Sequence, residues 1–227
     1  MASIAYFALM LASPKVTAVE RSRVRAFILL FIANAAFWSL FQQIFTTLAV
    51  YSDERINWNI FGWTAPASWI GSAEPVWIIV LSPLFAVMWT KLGTRAPSTP
   101  MKFAIGVVGM GIAFLLFLTM AGSTGQSSPA LVVFFILAVF AMSDLMLSPI
   151  GLSVTTKLAP DAFRAQMMAP YFFSVGLGTS MSGVLARFYS ADNEYAYFGI
   201  NGAIVIVIGL ILAALTPWLR RMMAGVH

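Results

Sequence analysis

Residues 129–157, PALVVFFILAVFAMSDLMLSPIGLSVTTK, form an apolar run of 29 residues in which the first charged residue is Asp144. The hydrocarbon core of a bilayer is crossed by about 20 apolar helical residues, and this stretch exceeds that length. It therefore predicts a membrane-spanning helix that carries a carboxylate about fifteen residues from its start, near the middle of the bilayer.

Five other stretches have a similar character, and hydrophobic residues make up 60% of the 227-residue chain against 9% charged residues. A soluble domain needs about a quarter of its residues charged, so the composition excludes one. We predict an all-α integral membrane protein in which residues 1–20 lead into a six-helix transmembrane bundle, residues 21–227. The six predicted spans are 22–51, 73–90, 102–121, 129–157, 164–190 and 195–219.

The residue inventory excludes several classes of site. Cysteine is absent and the only histidine is His227, which rules out disulfides, catalytic triads and the usual thiolate or imidazole metal sites. A single acid near the middle of a span also lacks the partner that acid–base or nucleophilic catalysis requires. We therefore expect no enzyme activity and no cofactor.

The lead-in segment contains an apolar run, residues 5–11, that ends before Pro14. It is too short to cross a bilayer, so we interpret it as an interfacial helix, a frayed apolar terminus or the end of a longer chain. Thr17 and Glu20 then match a capping box, in which both side chains satisfy free N–H groups at the start of a helix.

Basic residues are divided unequally when successive loops are assigned to alternate sides of the membrane. Arg55 and Arg187 fall on one side, and the other eleven fall on the opposite side, which predicts that side, with both termini, to be cytoplasmic. The excess of basic residues is then explained without a nucleic-acid partner. The eleven are Lys15, Arg21, Arg23, Arg25, Lys91, Arg95, Lys102, Lys157, Arg164, Arg220 and Arg221.

Polar residues inside the spans are the candidate functional residues, because a charge in the bilayer costs about 2.5–3.5 kcal/mol even on the most forgiving scale. Asp144 shares a helical face with Ser148 and Gly151, and we expect Pro149 to interrupt the helix and free the carbonyl of residue 145. These features favour a binding site. The alternative is a protonated Asp144 that is hydrogen-bonded to a neighbouring helix.

Spans one and two add further candidates. Glu74 precedes Pro75 at the start of span two, where it is either a site residue or a solvated acid at a helix end. In span one, Trp38 and Gln42 share a face and Gln43 lies beside them; buried glutamines require partners, and they also serve as contacts between membrane helices.

Span five combines two aromatic residues, Tyr171 and Phe172, with a preceding Pro170. A proline inside a helix kinks it, so we expect these side chains to turn into a cavity. Small residues further along favour close approach of another helix. These residues are Gly176, Gly178 and Ser180.

Longer strings resemble one known family. Residues 144–160, DLMLSPIGLSVTTKLAP, look like the tenth-helix signature of the proton-coupled oligopeptide transporters, a branch of the major facilitator superfamily. Phe37-Trp38 with Gln42-Gln43 resembles the seventh helix, Glu74-Pro75 the start of the eighth, and residues 97–104, PSTPMKFA, the loop between the eighth and ninth.

The resemblance covers essentially the whole chain, but only the second half of a full-length family member. It implies the carboxy-terminal bundle, built as two inverted three-helix repeats. The family's Glu-x-x-Glu-Arg proton motif and its carboxylate-binding basic residues belong to the amino-terminal bundle. The partners implied are small peptides, protons as coupling ion, the lipid bilayer and an amino-terminal six-helix bundle.

Site residues follow from the resemblance position by position. Asp144 stands where the family has a glutamate that binds the peptide's amino terminus, with Ser148 one turn away. Trp38, Tyr171 and Phe172 resemble the aromatic walls of the pocket, with Tyr171 at a position that is often tryptophan.

Two further positions depart from the family pattern. Gln42 replaces a common glutamate that pairs with a lysine of the other bundle, so proton coupling through that ion pair is not expected. Glu74 replaces the usual asparagine, which keeps the number of acids in the cavity unchanged.

The resemblance implies the carboxy-terminal half of a proton-coupled di/tripeptide transporter of the plasma membrane that supplies the peptide amino-terminus side of the site. The alternative is a non-transporting half that acts as a membrane scaffold or as a subunit of another complex. A scaffold has no need of Asp144, whereas amine recognition does.

The orientation can be tested with single cysteines, because the native chain has none. We expect Ser123→Cys to react with an impermeant thiol reagent applied outside intact cells, and Ser98→Cys not to react. The reverse labelling pattern would contradict the assignment of the eleven basic residues to the cytoplasm.

Overall fold

A computed structural model describes residues 2–122 and 125–223 of the chain. The labelling position Ser123 and the histidine His227 lie outside them. Over the described residues the fold is helical apart from four strands of two residues each. The α-helices are α1 Ala2–Ala12, α2 Ala18–Phe41, α3 Thr47–Glu54, α4 Ile70–Leu92, α5 Thr99–Leu116, α6 Ala130–Leu158, α7 Met168–Ala186 and α8 Glu194–Met222.

Short 3₁₀ segments and strands connect these helices. The 3₁₀ segments are Gln42–Phe45, Ala67–Trp69, Gly93–Arg95, Phe117–Thr119, Asp161–Gln166 and Ala191–Asn193. The strands are β1 Ile56–Asn57, β2 Asn59–Ile60, β3 Trp63–Thr64 and β4 Ser128–Pro129. β1 pairs with β4 in parallel, and β2 pairs with β3 as an antiparallel hairpin.

Five of the predicted spans coincide with helical segments that are long and apolar enough to cross a membrane: Ala18–Glu54, Ala67–Arg95, Thr99–Thr119, Ala130–Leu158 and Ala191–Met222. The all-helical prediction is thereby confirmed. The remaining predicted span, 164–190, contains α7, which has 19 residues but is not among the five. Serine, threonine and glycine lower its hydropathy, and the 3₁₀ segment Asp161–Gln166 occupies the first residues predicted for it.

The lead-in forms α1, which packs against α2 and α7. Phe7 and Met10 are buried, and the Phe7 ring contacts Phe31 edge to face at 5.4 Å between ring centroids. Interpretation as a frayed terminus was therefore wrong. The predicted capping box is confirmed: the N–H of Glu20 donates to Thr17 Oγ1 at 3.3 Å, and the N–H of Thr17 donates to Glu20 Oε2 at 2.7 Å.

Two expectations about prolines were wrong. Helix α6 continues through Pro149, because the loss of one backbone hydrogen bond in a membrane helix is tolerated when neighbouring helices support it. Pro170 is the third residue of α7, and a proline in the first turn removes no intrahelical hydrogen bond. It therefore gives no reason for a kink that would turn Tyr171 and Phe172 into a cavity.

Helix α5 lies at the centre of the packing, in contact with α2, α6 and α8. A Cβ on Gly111 would lie 2.7 Å from the carbonyl oxygen of Gly202 in α8, so only glycine allows these backbones to approach. Next to this contact the rings of Phe117 and Phe198 stack with centroids 4.9 Å apart. The core is thus built from glycine contacts and buried aromatic rings.

A buried ion pair joins the loops at the end of the bundle that carries Arg55. Arg55 Nε donates to Glu194 Oε1 at 2.6 Å and Nη2 donates to Oε2 at 3.0 Å, with both side chains at most 5% exposed. Arg55 also donates to the carbonyl of Gly125, and Tyr189 donates to Glu194. The bonds to Glu194 raise the pKa of Arg55, whereas burial, followed by the Glu194 charge, raises the pKa of Tyr189.

This ion pair predicts a large stability effect. Glu194→Gln leaves the Arg55 charge buried without its counter-ion, and the loss of one partner from a buried pair costs about 3–5 kcal/mol. We expect a clear drop in the unfolding midpoint of the purified chain in detergent. Asp161→Asn is the matched control, since its pair with Arg164 is 83% and 74% exposed and is worth about 0–1 kcal/mol. Equal midpoints for the two variants would contradict the prediction.

Candidate functional site

Helix α6 brings Asp144 and Ser148 onto one face, as predicted. They are four residues apart, one turn of helix, and the Ser148 hydroxyl donates to Asp144 Oδ1. Both side chains are half-buried. The carboxylate therefore keeps one oxygen for a partner from outside α6.

Tyr171 of α7 completes this cluster. Its side chain is buried at 4% exposure, and its hydroxyl lies beside Ser148 within range of the Asp144 charge. A Cβ on Gly151 would lie 2.7 Å from Tyr171 Cε2, so the missing side chain of Gly151 makes room for the ring. An acid, two hydroxyl groups and a glycine contact thus come together between α6 and α7.

Glu74 of α4 lies close enough to this cluster for its charge to interact with that of Asp144. It is the fifth residue of α4 and only 7% exposed, so the alternative of a solvated acid at the helix end was wrong. Its Oε1 is buried and has no hydrogen-bond partner. The two salt bridges found among the described residues involve neither Glu74 nor Asp144.

The other predicted site residues are spread over α7 and the end of α2. Gln42 Nε2 donates to Thr179 Oγ1 of α7 at 3.1 Å. Trp38 is half-buried, and its buried Nε1 has no hydrogen-bond partner. Phe172 contacts the Tyr171 ring at 5.5 Å between centroids and is itself 59% exposed within the described chain.

Gln43 serves as a contact between helices, which is the alternative to a site role for a buried glutamine. It is fully buried, and its Oε1 accepts hydrogen bonds from Tyr197 at 2.9 Å and from Thr46 and Thr47. Its Nε2 donates to the carbonyl of Ser39 at 3.3 Å. These bonds satisfy both ends of the amide, and Gln43 acts as a contact between α2, α3 and α8.

Sequence reasoning missed a buried polar contact between α2 and α7. Asn34 Nδ2 donates to Ser174 Oγ at 2.6 Å, and both side chains are buried. The signal was an asparagine inside an apolar run, but its partner lies 140 residues away in sequence.

The chemistry of the cluster is that of binding a cation or a proton. Two carboxylates lie next to hydroxyl groups, and Glu74 Oε1 is one of a few buried polar atoms without a partner. Within the described residues, no three His, Cys, Asp or Glu side chains are grouped as a metal site would require. The arrangement suits an ammonium group, which brings three donors and a positive charge.

Residues 1–203 match the protein family described as PTR2, the POT family. The chain belongs to the POT family. The proton-coupled oligopeptide transporter resemblance is thereby confirmed. The similar proteins below carry the names of transporters and not of enzymes.

Relatives of this POT-family chain match its whole length. It is 42% identical over 226 residues to an uncharacterized transporter, YclF, of Bacillus subtilis (strain 168), and 36% identical over 231 residues to a di-/tripeptide transporter of Lactococcus lactis subsp. cremoris. These alignments cover 98% and 99% of the chain and 46% of each relative. The chain spans about half the length of the curated relatives it matches.

Solved structures give the same result. A peptide transporter named POT, solved in complex with sulfate and as a mutant with alafosfalin, is 43% identical to the POT-family chain. It has a TM-score of 0.93 over 99% of the chain and 46% of its own length. A POT family transporter in complex with 5-aminolevulinic acid has a TM-score of 0.87 at 35% identity over 96% and 46%.

The close contact between α2 and α7 beside Trp38 predicts that substitution by alanine has different effects on stability at two glycines of α7. A Cβ on Gly178 would lie 2.6 Å from both Ala35 O and Trp38 Cβ, whereas a Cβ on Gly176 meets nothing within 4 Å. We expect Gly178→Ala to destabilise the chain by about 1–3 kcal/mol through overpacking. Gly176→Ala, the control, should leave the unfolding midpoint in detergent unchanged or raised.

If both substitutions had the same effect on the midpoint, the close approach at Gly178 would not be the stabilising contact between α2 and α7. The predicted tight packing at Gly176 is already wrong, and Ser180 is exposed.

Proposed function

We propose that the chain is the carboxy-terminal six-helix half of a proton-coupled di/tripeptide transporter, with α7 as the sixth span. The two groups of three spans would be the two inverted repeats. Asp144 binds the peptide's amino terminus, and Ser148, Trp38, Gln42, Glu74, Tyr171 and Phe172 complete the walls of the site on this half.

The observation that carries the proposal is the pair formed by Asp144 and Glu74. Both are at most half exposed, neither has a salt-bridge partner among the described residues, and each lies in the electrostatic field of the other. A charge kept inside a membrane requires a counter-charge, water or a proton. A peptide ammonium would supply the counter-charge, and the Ser148 hydroxyl would hold the Asp144 carboxylate in position.

Protons enter the proposal at the same two carboxylates. Two like charges in one site disfavour simultaneous ionisation, so a proton on either Glu74 or Asp144 relieves their repulsion in the empty state. The other carboxylate would keep its charge for an arriving ammonium group, so that a proton and a peptide are bound together, as symport requires. This coupling requires neither a glutamate at Gln42 nor an ion pair through it.

The proposal includes a second bundle and an orientation. Alternating access needs two bundles that move around a shared site, so an amino-terminal six-helix bundle would face the Asp144 cluster. The protein would lie in the cell membrane with both termini in the cytoplasm, because eleven of its thirteen basic residues belong to the loops assigned to that side.

The decisive experiment combines this chain with an amino-terminal bundle from a close relative in liposomes and follows labelled dipeptide under an imposed pH gradient. Asp144→Asn keeps the shape of the side chain and removes its charge. We expect uptake to fall at least tenfold, equivalent to about 1.4 kcal/mol of binding, with the amount of protein unchanged. Liposomes that contain the chain alone should show no gradient-driven uptake.

Asp192→Asn is the matched control, since Asp192 is an exposed acid of a loop and should leave uptake unchanged. If Asp144→Asn and Asp192→Asn transported equally well, the amine-binding role would be wrong and the scaffold alternative would be favoured. Robust uptake by the chain alone would show that the second bundle is not required.

A further inference from the structure

A cavity of about 470 Å³ lies between α4, α5 and α6 at the end of the bundle where these helices carry their lysines. Lys102 in the first turn of α5 and Lys157 in the last turn of α6 both line it. Their charges are close enough to repel each other. The described residues that line the cavity include no aspartate and no glutamate, although Lys157 also lines a neighbouring pocket together with Glu20 and Asp161.

Further groups in this cavity suit an anion. Thr99 and Ser153 place hydroxyl groups in its wall. Lys102 Nζ lies 4.2 Å from the centre of the Trp89 ring, which holds the ammonium group in place without neutralising it. Two ammonium groups and two hydroxyl groups form a donor set for a phosphate group.

An apolar groove of about 450 Å³ adjoins the cavity, and the two share Phe85 and Trp89 in their walls. The groove runs between α4, α5 and α6 and is lined by apolar side chains such as Ile105 and Met142, both more than 40% exposed. Arg95 also lines it. A cationic cavity therefore adjoins a groove whose walls are mainly apolar.

We propose that the cavity and the groove form one binding site for an anionic phospholipid, with the headgroup phosphate at Lys102 and Lys157 and an acyl chain in the groove. Basic pockets between membrane helices on the cytoplasmic side bind anionic lipid headgroups. The adjoining groove favours a lipid over free phosphate, because inorganic phosphate has nothing to place in it. The lipid would fill the space beside α4. Only 11% of the most apolar stretch of this helical segment, Ala67–Arg95, is buried by the rest of the chain.

Native mass spectrometry of the purified chain with phosphatidylglycerol and with phosphatidylcholine of the same acyl chains tests the proposal. We expect phosphatidylglycerol to bind at least tenfold more tightly, and the double variant Lys102→Gln/Lys157→Gln to lose this preference. Lys91→Gln is the matched control, since Lys91 is an exposed lysine at the end of α4 that lines neither the cavity nor the groove. Equal binding of the two lipids, or equal loss in the control, would overturn the proposal.

A second variant tests the groove without any change of charge. Met142→Trp fills the groove, and we expect it to weaken phosphatidylglycerol binding at least tenfold while the helical content stays unchanged. Glycerol 3-phosphate and inorganic phosphate are the competitors that distinguish the source of the phosphate. Displacement of the lipid by either competitor at equal concentration would reassign the cavity to a free phosphate, and undiminished binding to Met142→Trp would exclude the groove.

Discussion

Every polar group inside a membrane-spanning segment must find its partner within the protein, because the hydrocarbon core offers no water to hydrogen-bond it. This constraint organises the bundle. Gln43 is satisfied at both ends by α2, α3 and α8, and Asn34 pairs with Ser174 across α2 and α7. Hydroxyl groups elsewhere donate to the carbonyl four residues earlier, as Thr155 does to Gly151. Polar side chains thus fix which helices are neighbours.

The same constraint makes the exceptions informative. Glu74 Oε1, Trp38 Nε1 and Asn34 Oδ1 are buried without a hydrogen-bond partner, and the first two belong to residues that the family resemblance places at the peptide site. Satisfied groups such as Gln43 have a structural role that is complete within the chain. Under the proposed function, the unsatisfied groups of Trp38 and Glu74 are ones that a ligand or a second bundle would complete.

Whether a feature of the structure could be predicted from the sequence depends on how far apart its residues lie along the chain. Five of the six predicted spans, the capping box of Thr17 and Glu20 and the shared helical face of Asp144 and Ser148 are local patterns, and the structure confirms each of them. The ion pair of Arg55 with Glu194 joins residues 139 apart, and no local pattern indicates it. The kink expected at Pro170 was wrong because α7 begins at Met168, later than its hydropathy indicated, which puts the proline in the first turn.

The balance of charge at the site constrains any mechanism built on it. Asp144 and Glu74 repel each other, and the ion pairs found among the described residues, Arg55 with Glu194 and Arg164 with Asp161, involve other acids. A fixed arginine beside the two carboxylates would neutralise them permanently and remove their need for a ligand. Without it, a proton on one carboxylate leaves the other charged for an ammonium group, so a proton and a peptide can occupy the site together. Under the proposed function, this joint occupancy is the physical basis for coupling peptide movement to protons.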